Sequence, residues 1–269
     1  MKEGDEPTPP PEQTAPRSTS HLSATETGER LFARFAYAPN ALGHCGPAAA
    51  ERLLAIARGE EKPGDLTPIA SRFSGAWVYQ VVLGQMLDLD PLSPEIVTGY
   101  WIGSEAVDRI DRADFLRRLL AVIDPRAGSY WSHLDDTLLP EATGTHAFHV
   151  LAVYPWSRLA PTGRPEPLAV LNGCLIRPGV VHKVEEKVNN TDHAELHVTV
   201  RTRSLTWSDG FRWDEEEMVA TVPFGDHLAP GDYVGLHWGQ VCVPLTLGEA
   251  TALDERLDEQ IALMSHRHA

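Results

Sequence analysis

The feature that most constrains the fold is a change in the spacing of apolar residues along the chain. From residue 29 to about residue 135, apolar side chains recur every three or four positions, which is the period of an α-helix. From "THAFHVLAVYPW" onward the pattern changes to the two-residue period of β-strands. The last segment, "GEATALDERLDEQIALM", returns to the helical period. This order predicts an α+β fold, with a helical part first and a β part after it.

The helical part contains segments with clear start and stop signals. "SPEIVTGYWIG" opens with a serine before a proline, a pair that favours the cap and first turn of a helix. "RADFLRRLLAVIDP" places Phe115 and Leu119 on one face and stops before Pro125. "GPAAAERLLAIARG" has an alanine-rich interior and closes at Gly59. We therefore expect several packed helices in this part of the chain.

The β part has strand, turn and helix signals in sequence order. "AELHVTVRT" alternates apolar and polar residues and is typical of a strand with one solvent-facing side. "LAVLNGCLIRPGVVHKVEE" also predicts a strand, with Cys174 near its start, and the pair Asp209-Gly210 suits a hairpin turn. The closing helix has one apolar face, formed by Leu253, Leu257, Ile261 and Met264.

Composition divides the chain into three parts. Residues 1–28 are rich in Pro, Glu, Ser and Thr and nearly lack large apolar side chains, so we expect a disordered tail. Residues 29–160 form the mainly helical domain, and residues 166–269 form the β domain with its C-terminal helix. The boundary is the segment "SRLAPTGRPEP", which is rich in Pro and contains a Gly.

Charge and cysteine content exclude several classes of protein. The formal net charge is −15, whereas a surface that binds nucleic acid or an anionic membrane needs clustered Lys and Arg. The chain has no apolar run long enough for a membrane-spanning helix, and its N-terminus lacks the apolar core of a secretion signal. The three cysteines, Cys45, Cys174 and Cys242, are too few for a disulfide framework, and Cys242 alternates with valines and should pack in the core. We therefore expect a cytoplasmic protein.

Cys174 and His237 are the main candidates for chemistry. Arg177 lies close after Cys174 in the sequence and can stabilise a thiolate. His237 lies in a second strand-like segment, and Gly239 after it leaves room for close approach to the backbone. If the two strands are neighbours in a small barrel, a thiolate and a neutral imidazole form a half-site for a soft or borderline metal. The alternative is a buried thiol and a hydrogen-bonded core histidine.

Four further residues are weaker candidates. His44 and Cys45 precede a Gly-Pro pair at the start of a predicted helix, where the positive end of the helix dipole would lower the pKa of the thiol. The alternative is a small buried residue in a tight loop. On a helix, His146 and His149 would share a face, but the following "VLAVYP" favours a strand, where their odd separation sends them to opposite faces. They should therefore not form a joint site, although one of them can pair with Cys45 or Cys174.

Two motifs in the β part resemble those of a known family. "CLIRPGVVHKVE" resembles the opening of the HypC/HupF family of NiFe-hydrogenase assembly chaperones, in which Cys-Leu-x-x-Pro-Gly precedes a valine-rich strand. "APGDYVGLHWGQVCVPLTLGEATAL" resembles the second motif of that family, Pro-Gly-Asp-Tyr-Val-x-x-His-x-Gly, which leads into an acidic C-terminal helix. The resemblance covers roughly residues 168–265. It implies a small, five-stranded, OB-like β-barrel with a terminal helix.

The resemblance also implies a function. Members of the family carry an Fe(CN)₂CO unit to the precursor of the hydrogenase large subunit, and the motif cysteine and histidine are implicated in holding the iron. By this resemblance, Cys174 and His237 hold a transient iron unit, and the partners are the large-subunit precursor or other maturation proteins. A chaperone is then expected rather than an enzyme, with no tightly bound organic cofactor.

Two other functions are open on the sequence. In the first, the β part is a metal-free interaction module, and the helical part recognises a client protein. In the second, Cys45 is the nucleophile of a cysteine-dependent enzyme with His146 or His149 as its base.

Overall fold

The computed structural model describes residues 26–123, 134–188 and 194–265, so the predicted disordered tail lies outside it except for residues 26–28. The helices are α1 (Gly28–Ala41), α2 (Ala50–Arg58), α3 (Thr67–Ala70), α4 (Ser74–Leu87), α5 (Pro94–Ile102), α6 (Glu105–Asp108), α7 (Arg112–Ile123), α8 (His146–Phe148), α9 (Trp156–Leu159), α10 (Pro165–Cys174) and α11 (Leu247–Ser265). Short 3₁₀ turns lie at Asp136–Glu141 and Ala160–Thr162, and a π-helical turn lies at His149–Val153. The strands are β1 (Arg177–Val188), β2 (Ala194–Trp207), β3 (Phe211–Thr221), β4 (Tyr233–His237) and β5 (Gln240–Leu245).

Helix α1 connects the helical part to the sheet. It begins after Thr27, whose side-chain oxygen accepts a hydrogen bond from the backbone N–H of Arg30 at 3.3 Å. Leu31, Phe32 and Phe35 are fully buried. A helix that is apolar on several faces needs neighbours on several faces, and α1 packs against α2, α5 and β5.

The five strands form one sheet that closes on itself. Strand β1 pairs antiparallel with both β2 and β4, β2 pairs with β3, and β4 pairs with β5. One parallel pair, Thr221 with Gln240, joins β3 to β5 and completes the ring. The long β2–β3 hairpin turns at Asp209 and Gly210, which confirms the turn that this pair predicts. Closure places the start of β1 beside the end of β4.

Helix α11 follows the sheet and confirms the predicted amphipathic C-terminal helix. Its buried apolar residues are Leu253, Leu257, Ile261 and Met264. They belong to an apolar cluster that also includes Leu31 of α1 and the strand residues Val243 and Leu245. The sheet has a second, separate apolar cluster of its own, which includes Val181, Val198, Val200 and Leu236. Within the described ranges, each helix is too short or too polar to cross a lipid bilayer.

The expected two-residue period was wrong for residues 146–174, which are helical. The segment contains α8, the π-helical turn at His149–Val153, α9 and α10, and the sheet begins only at Arg177. All residues of the π-helical turn are buried. A short apolar run without a polar face has no period that distinguishes a strand from a buried helix. The broader prediction of mixed helices and strands holds.

Candidate metal centre

Strand pairing brings Cys174 and His237 to the same end of the sheet. The antiparallel register of β1 and β4 pairs Arg177 with Leu236, so residues before β1 lie beside residues at the end of β4. The sequence pattern predicted Cys174 at the start of a strand, which was wrong, because Cys174 is the last residue of α10 and β1 begins only at Arg177. His237 is the last residue of β4. Both candidates therefore lie at the junctions between regular elements.

A tight turn fixes the position of His237. Trp238 and Gly239 have φ values of 50° and 75° and connect β4 to β5, the conformation of a two-residue hairpin turn. The Trp238 backbone N–H donates a hydrogen bond to the Gly173 carbonyl at 2.9 Å. Its indole packs so closely on Gly173 that a Cβ there would lie 2.6 Å from a ring carbon. The turn is thus fixed to the end of α10, directly beside Cys174.

His146 completes a three-residue cluster with the two predicted residues. A ring nitrogen of His146, a ring nitrogen of His237 and Sγ of Cys174 all lie within 4.8 Å of one another. Both histidines are buried, and Cys174 is half-buried. In the part of the chain that the structure describes, this is the one group of three or more His, Cys, Asp or Glu residues with such spacing. Nitrogen and sulfur donors suit a soft or borderline transition metal rather than magnesium or calcium.

His237 is neutral and has one free nitrogen. Burial lowers the pKa of His237 to about 4, although the backbone carbonyls of Phe35 and Cys174 act in the opposite direction. The Nδ1–H donates a hydrogen bond to the Phe35 carbonyl at 2.8 Å, so Nε2 carries a lone pair. Nε2 is buried and makes no hydrogen bond of normal geometry among residues 26–123, 134–188 and 194–265, although the Cys174 carbonyl lies near enough to the ring to act on its pKa. Histidine metal ligands commonly have this arrangement, with one nitrogen on a carbonyl and the other free.

His146 is held by the hydroxyl of Tyr100. A carbonyl oxygen only accepts, so Nε2–H donates to the Cys174 carbonyl at 2.9 Å and Nδ1 accepts from the Tyr100 hydroxyl at 3.0 Å. Burial, followed by the neighbouring His237 and His149, lowers the pKa of His146 well below 6.5. A metal at Nε2 requires the other tautomer, in which Nδ1–H donates to the Tyr100 oxygen. Because a hydroxyl both donates and accepts, Tyr100 can stabilise either tautomer.

Cys174 is better placed as a ligand than as a nucleophile. Its Sγ lies 3.8 Å from Nε2 of His146, which is a thiol–imidazole pair. However, burial raises the pKa of Cys174 to about 12, and a charge on Cys45 would raise it further. A nucleophilic cysteine needs a stable thiolate, which two buried neutral groups do not provide. A divalent cation changes this balance, because a coordinated thiol loses its proton.

His149 and Cys242 lie outside the cluster. The expectation that His146 and His149 face opposite sides was wrong, because both are helical and their nearly parallel rings are 6.1 Å apart between centres. Burial lowers the pKa of His149 to about 4. Cys242 is buried in the core as predicted, and its thiol donates to the Gly235 carbonyl at 3.1 Å.

His44 and Cys45 lie in the exposed loop between α1 and α2. The predicted low pKa of Cys45 was wrong, because α2 begins only at Ala50 and the thiol is not at its N-terminus. Desolvation by surrounding protein instead raises the pKa of the Cys45 thiol to about 12, although the residue as a whole is exposed. The His44 ring packs against the Trp238 indole, with 4.0 Å between ring centres. The loop therefore covers the turn that follows His237.

Sequence reasoning missed the groups that orient the two histidines. Tyr100 lies in the apolar segment that forms α5, where nothing in the pattern distinguishes it from a core residue. Phe35 acts through its backbone carbonyl, which every residue possesses. His146 was a weaker candidate, and its pairing with Cys174 was one of the options that the sequence left open.

Comparison with known families gives one match to the whole described region. The matching model carries the description "Family of unknown function (DUF6390)" and covers residues 24–269. Comparison with curated proteins and with solved structures gives no match. The matched range contains the three residues of the cluster, as well as Tyr100 and Phe35.

Proposed function

The chain belongs to DUF6390, a family of unknown function, and we propose for it the role of a metal-holding accessory protein in NiFe-hydrogenase assembly. The protein holds a soft or borderline metal centre through Cys174, His146 and His237. The cargo is an Fe(CN)₂CO unit, and the client is the precursor of the hydrogenase large subunit. The observation that carries the proposal is the convergence of three nitrogen and sulfur donors within 4.8 Å.

The separation of the donors supports metal binding. Metal bonds of about 2.0–2.3 Å to nitrogen and sulfur place tetrahedral ligands roughly 3.3–3.8 Å apart. Sγ of Cys174 and Nε2 of His146 are already 3.8 Å apart. The largest separation in the cluster is at most 4.8 Å, so a contraction of about 1 Å brings all three donors to bonding geometry. The free, buried Nε2 of His237 gains the partner that the protein itself does not supply.

The hydrogenase role is supported by which residues converge. Cys174 and His237 are the conspicuous residues of the two motifs that resemble the HypC/HupF chaperones, and they are remote in sequence. Both lie at one end of a closed five-stranded sheet that leads into a terminal helix. We propose that this sheet is an OB-like barrel of the same kind. The helices before it, which contribute His146, then serve as the surface that recognises the client.

The test is co-expression of the full chain with a hydrogenase large-subunit precursor, followed by anaerobic purification and infrared spectroscopy. We expect the precursor to co-purify and the complex to show cyanide and carbonyl stretching bands. Cys174→Ala should abolish both the bands and hydrogenase maturation, because it removes the sulfur ligand. Cys242→Ser is the matched control, since that buried thiol lies in the core outside the cluster.

Two other results would contradict the proposal in different ways. Co-purification without infrared bands, with maturation unaffected by Cys174→Ala, would indicate a metal-free interaction module. If neither the precursor nor the bands are found, the hydrogenase role is wrong. Only the metal-holding part of the proposal then remains, and direct titration with a metal ion tests it.

Removing the Tyr100 hydroxyl should weaken metal binding without disrupting the fold. Tyr100→Phe is expected to lower the affinity for Zn²⁺ by about 10–100-fold, because His146 loses the partner that orients its ring. The control is Tyr79→Phe, since the Tyr79 ring is equally buried and its hydroxyl has no hydrogen-bond partner in the described structure. Competition titrations with a chromophoric chelator measure both affinities. Equal affinities of the two variants would show that Tyr100 does not support a ligand.

A further inference from the structure

We propose that the metal held by the cluster carries a small, exchangeable anionic ligand at its fourth position, and that the indole N–H of Trp101 donates a hydrogen bond to this ligand. The inference rests on the proposed metal-holding function and names the class of ligand that the site accepts from outside the protein. It gives Trp101, in α5, the role of a binding residue for that ligand.

The number of protein donors leaves one position of the metal to an outside ligand. Among the described residues, Cys174, His146 and His237 are the group whose donor atoms meet within 4.8 Å. Zinc and related ions take four ligands in tetrahedral sites. Sites with three protein ligands normally hold water or another small molecule at the fourth position. The three-residue cluster therefore predicts a metal that exchanges its fourth ligand.

The charge of the site favours an anion at this position. One thiolate and two neutral imidazoles leave a divalent ion with a net positive charge. Both histidines are buried, and a net charge in a buried site is costly. The cluster contains no carboxylate that could balance this charge. A monovalent anion, such as hydroxide or azide, brings the site to neutrality.

Trp101 offers a buried donor that lacks an acceptor. The residue is 4% exposed, and in the described part of the chain its Nε1 has no hydrogen-bond partner. An indole nitrogen only donates, and buried tryptophans usually find a partner for it. Leaving such a donor unpaired is costly. The unpaired N–H therefore points to an acceptor that the chain itself does not supply.

The Trp101 ring is in direct contact with both histidine ligands. Its centre lies 4.6 Å from the centre of the His146 ring and 5.6 Å from the centre of the His237 ring. The Phe35 ring stacks on the indole, with 5.4 Å between centres and 10° between planes, and covers one of its faces. The indole thus lies along the side of the cluster that the two imidazoles form. An anion bound to the metal can supply the missing acceptor there.

Burial limits the size of the ligand. His237 is 1% exposed, and Trp101 is nearly as buried. The Trp238 indole packs so closely on Gly173 that a Cβ there would lie 2.6 Å from a ring carbon. These surroundings suit an anion of a few atoms better than an organic ligand with a ring. The cyanide groups of the proposed iron cargo belong to this class.

The test is an anaerobic titration of azide into the Co²⁺-loaded full chain, followed by absorption spectroscopy. In the unmodified protein we expect the cobalt bands to shift saturably and an azide-to-cobalt charge-transfer band to appear. Neutral imidazole should not produce the shift. Trp101→Phe should bind Co²⁺ as tightly as the unmodified protein but should bind azide about tenfold or more weakly, because the donor is lost.

Two further variants make the test specific to the indole N–H. Trp213→Phe is the matched control, because its Nε1 is also buried without a partner in the described structure, but the residue lies on β3, outside the cluster. It should leave the azide affinity unchanged. Incorporation of 3-benzothienylalanine at position 101 replaces the N–H by sulfur and keeps the size of the ring. It should lower the azide affinity as Trp101→Phe does, without the packing change that a smaller ring brings.

The outcomes separate this inference from the function on which it rests. If the unmodified protein binds no Co²⁺, the metal-holding function is wrong, and this inference is wrong with it. If Co²⁺ binds but azide leaves the bands unchanged, the metal-holding function stands and the exchangeable anion is wrong. If azide binds equally well to the unmodified protein and to both variants at position 101, Trp101 is not its donor.

Discussion

Cys174→Ser and His237→Asn are each expected to weaken the binding of Zn²⁺ or Co²⁺ by about 100-fold or more, because each removes a direct ligand. Serine keeps the size of the cysteine side chain but offers a much poorer donor to a borderline metal. In His237→Asn, the amide nitrogen takes a position near that of Nδ1 and can still donate to the Phe35 carbonyl. Only Nε2 is deleted. Competition titration of metal-free protein against a chromophoric chelator gives the dissociation constants.

The two variants should remain folded, which separates loss of a ligand from loss of structure. The expected cost to the free energy of unfolding is about 1–2 kcal/mol for each, as measured by urea unfolding without metal. Cys242→Ser makes the same chemical change at another buried thiol, whose donor function to the Gly235 carbonyl serine preserves. It should leave metal affinity unchanged. A similar loss of affinity in all three variants would mean that the cluster is not the metal site.

Periodicity predicted the elements on either side of residues 146–174 better than the elements within that segment. The helix from Arg112 to Ile123, the Asp209-Gly210 hairpin and the amphipathic α11 each have a polar and an apolar side or a specific turn residue, so their patterns are distinctive. The segment from His146 to Cys174 has neither. Its apolar residues are buried from several directions, so the local pattern carries no information on which elements surround it.

The candidate site was predictable only where it depends on local sequence. Cys174 and His237 stand out because each is a chemically active residue beside a glycine-containing turn. The contribution of His146 depends on the packing of α8 against the end of α10, which is a tertiary contact between residues remote in sequence. The environment of Cys45 was predicted incorrectly for a related reason: a glycine and a proline suggested a helix start, but α2 begins several residues later. Desolvation of the thiol by other elements then outweighs any dipole effect.

A buried arginine fastens α1 to the sheet beside the site. Arg34 is only 3% exposed, and its guanidinium lies 4.7 Å from the centre of the Phe224 ring. Nε donates to the Cys242 carbonyl at 2.9 Å, and Nη2 donates to the Asp226 carboxylate at 2.6 Å. One side chain thus satisfies a strand carbonyl and a partly buried carboxylate at once. Because the next residue, Phe35, holds His237 through its carbonyl, the same contact also positions the metal cluster.

Arg34→Ala is expected to lower the free energy of unfolding by about 3–5 kcal/mol. The reason is that the substitution leaves the Asp226 carboxylate, which is 17% exposed, without its counter-charge and the Cys242 carbonyl without a donor. Urea unfolding followed by far-ultraviolet circular dichroism measures the change. Adding Asp226→Asn should recover part of the loss, because it removes the stranded charge.

Arg256→Ala is the control for Arg34→Ala, because it removes a more exposed ion pair and should change the free energy of unfolding much less. Arg256 pairs with Asp108 at 2.6 Å, but their side chains are 22% and 44% exposed, so the expected cost is about 1 kcal/mol or less. If Arg34 acts as inferred, its removal should also weaken Zn²⁺ binding, because α1 loses its fixed position and the Phe35 carbonyl no longer orients His237. Equal stability losses for the two arginine variants, with metal affinity unchanged in both, would contradict this coupling. It would mean that the position of α1 is set by its apolar contacts alone, and that the histidine is oriented independently of the Arg34 ion pair.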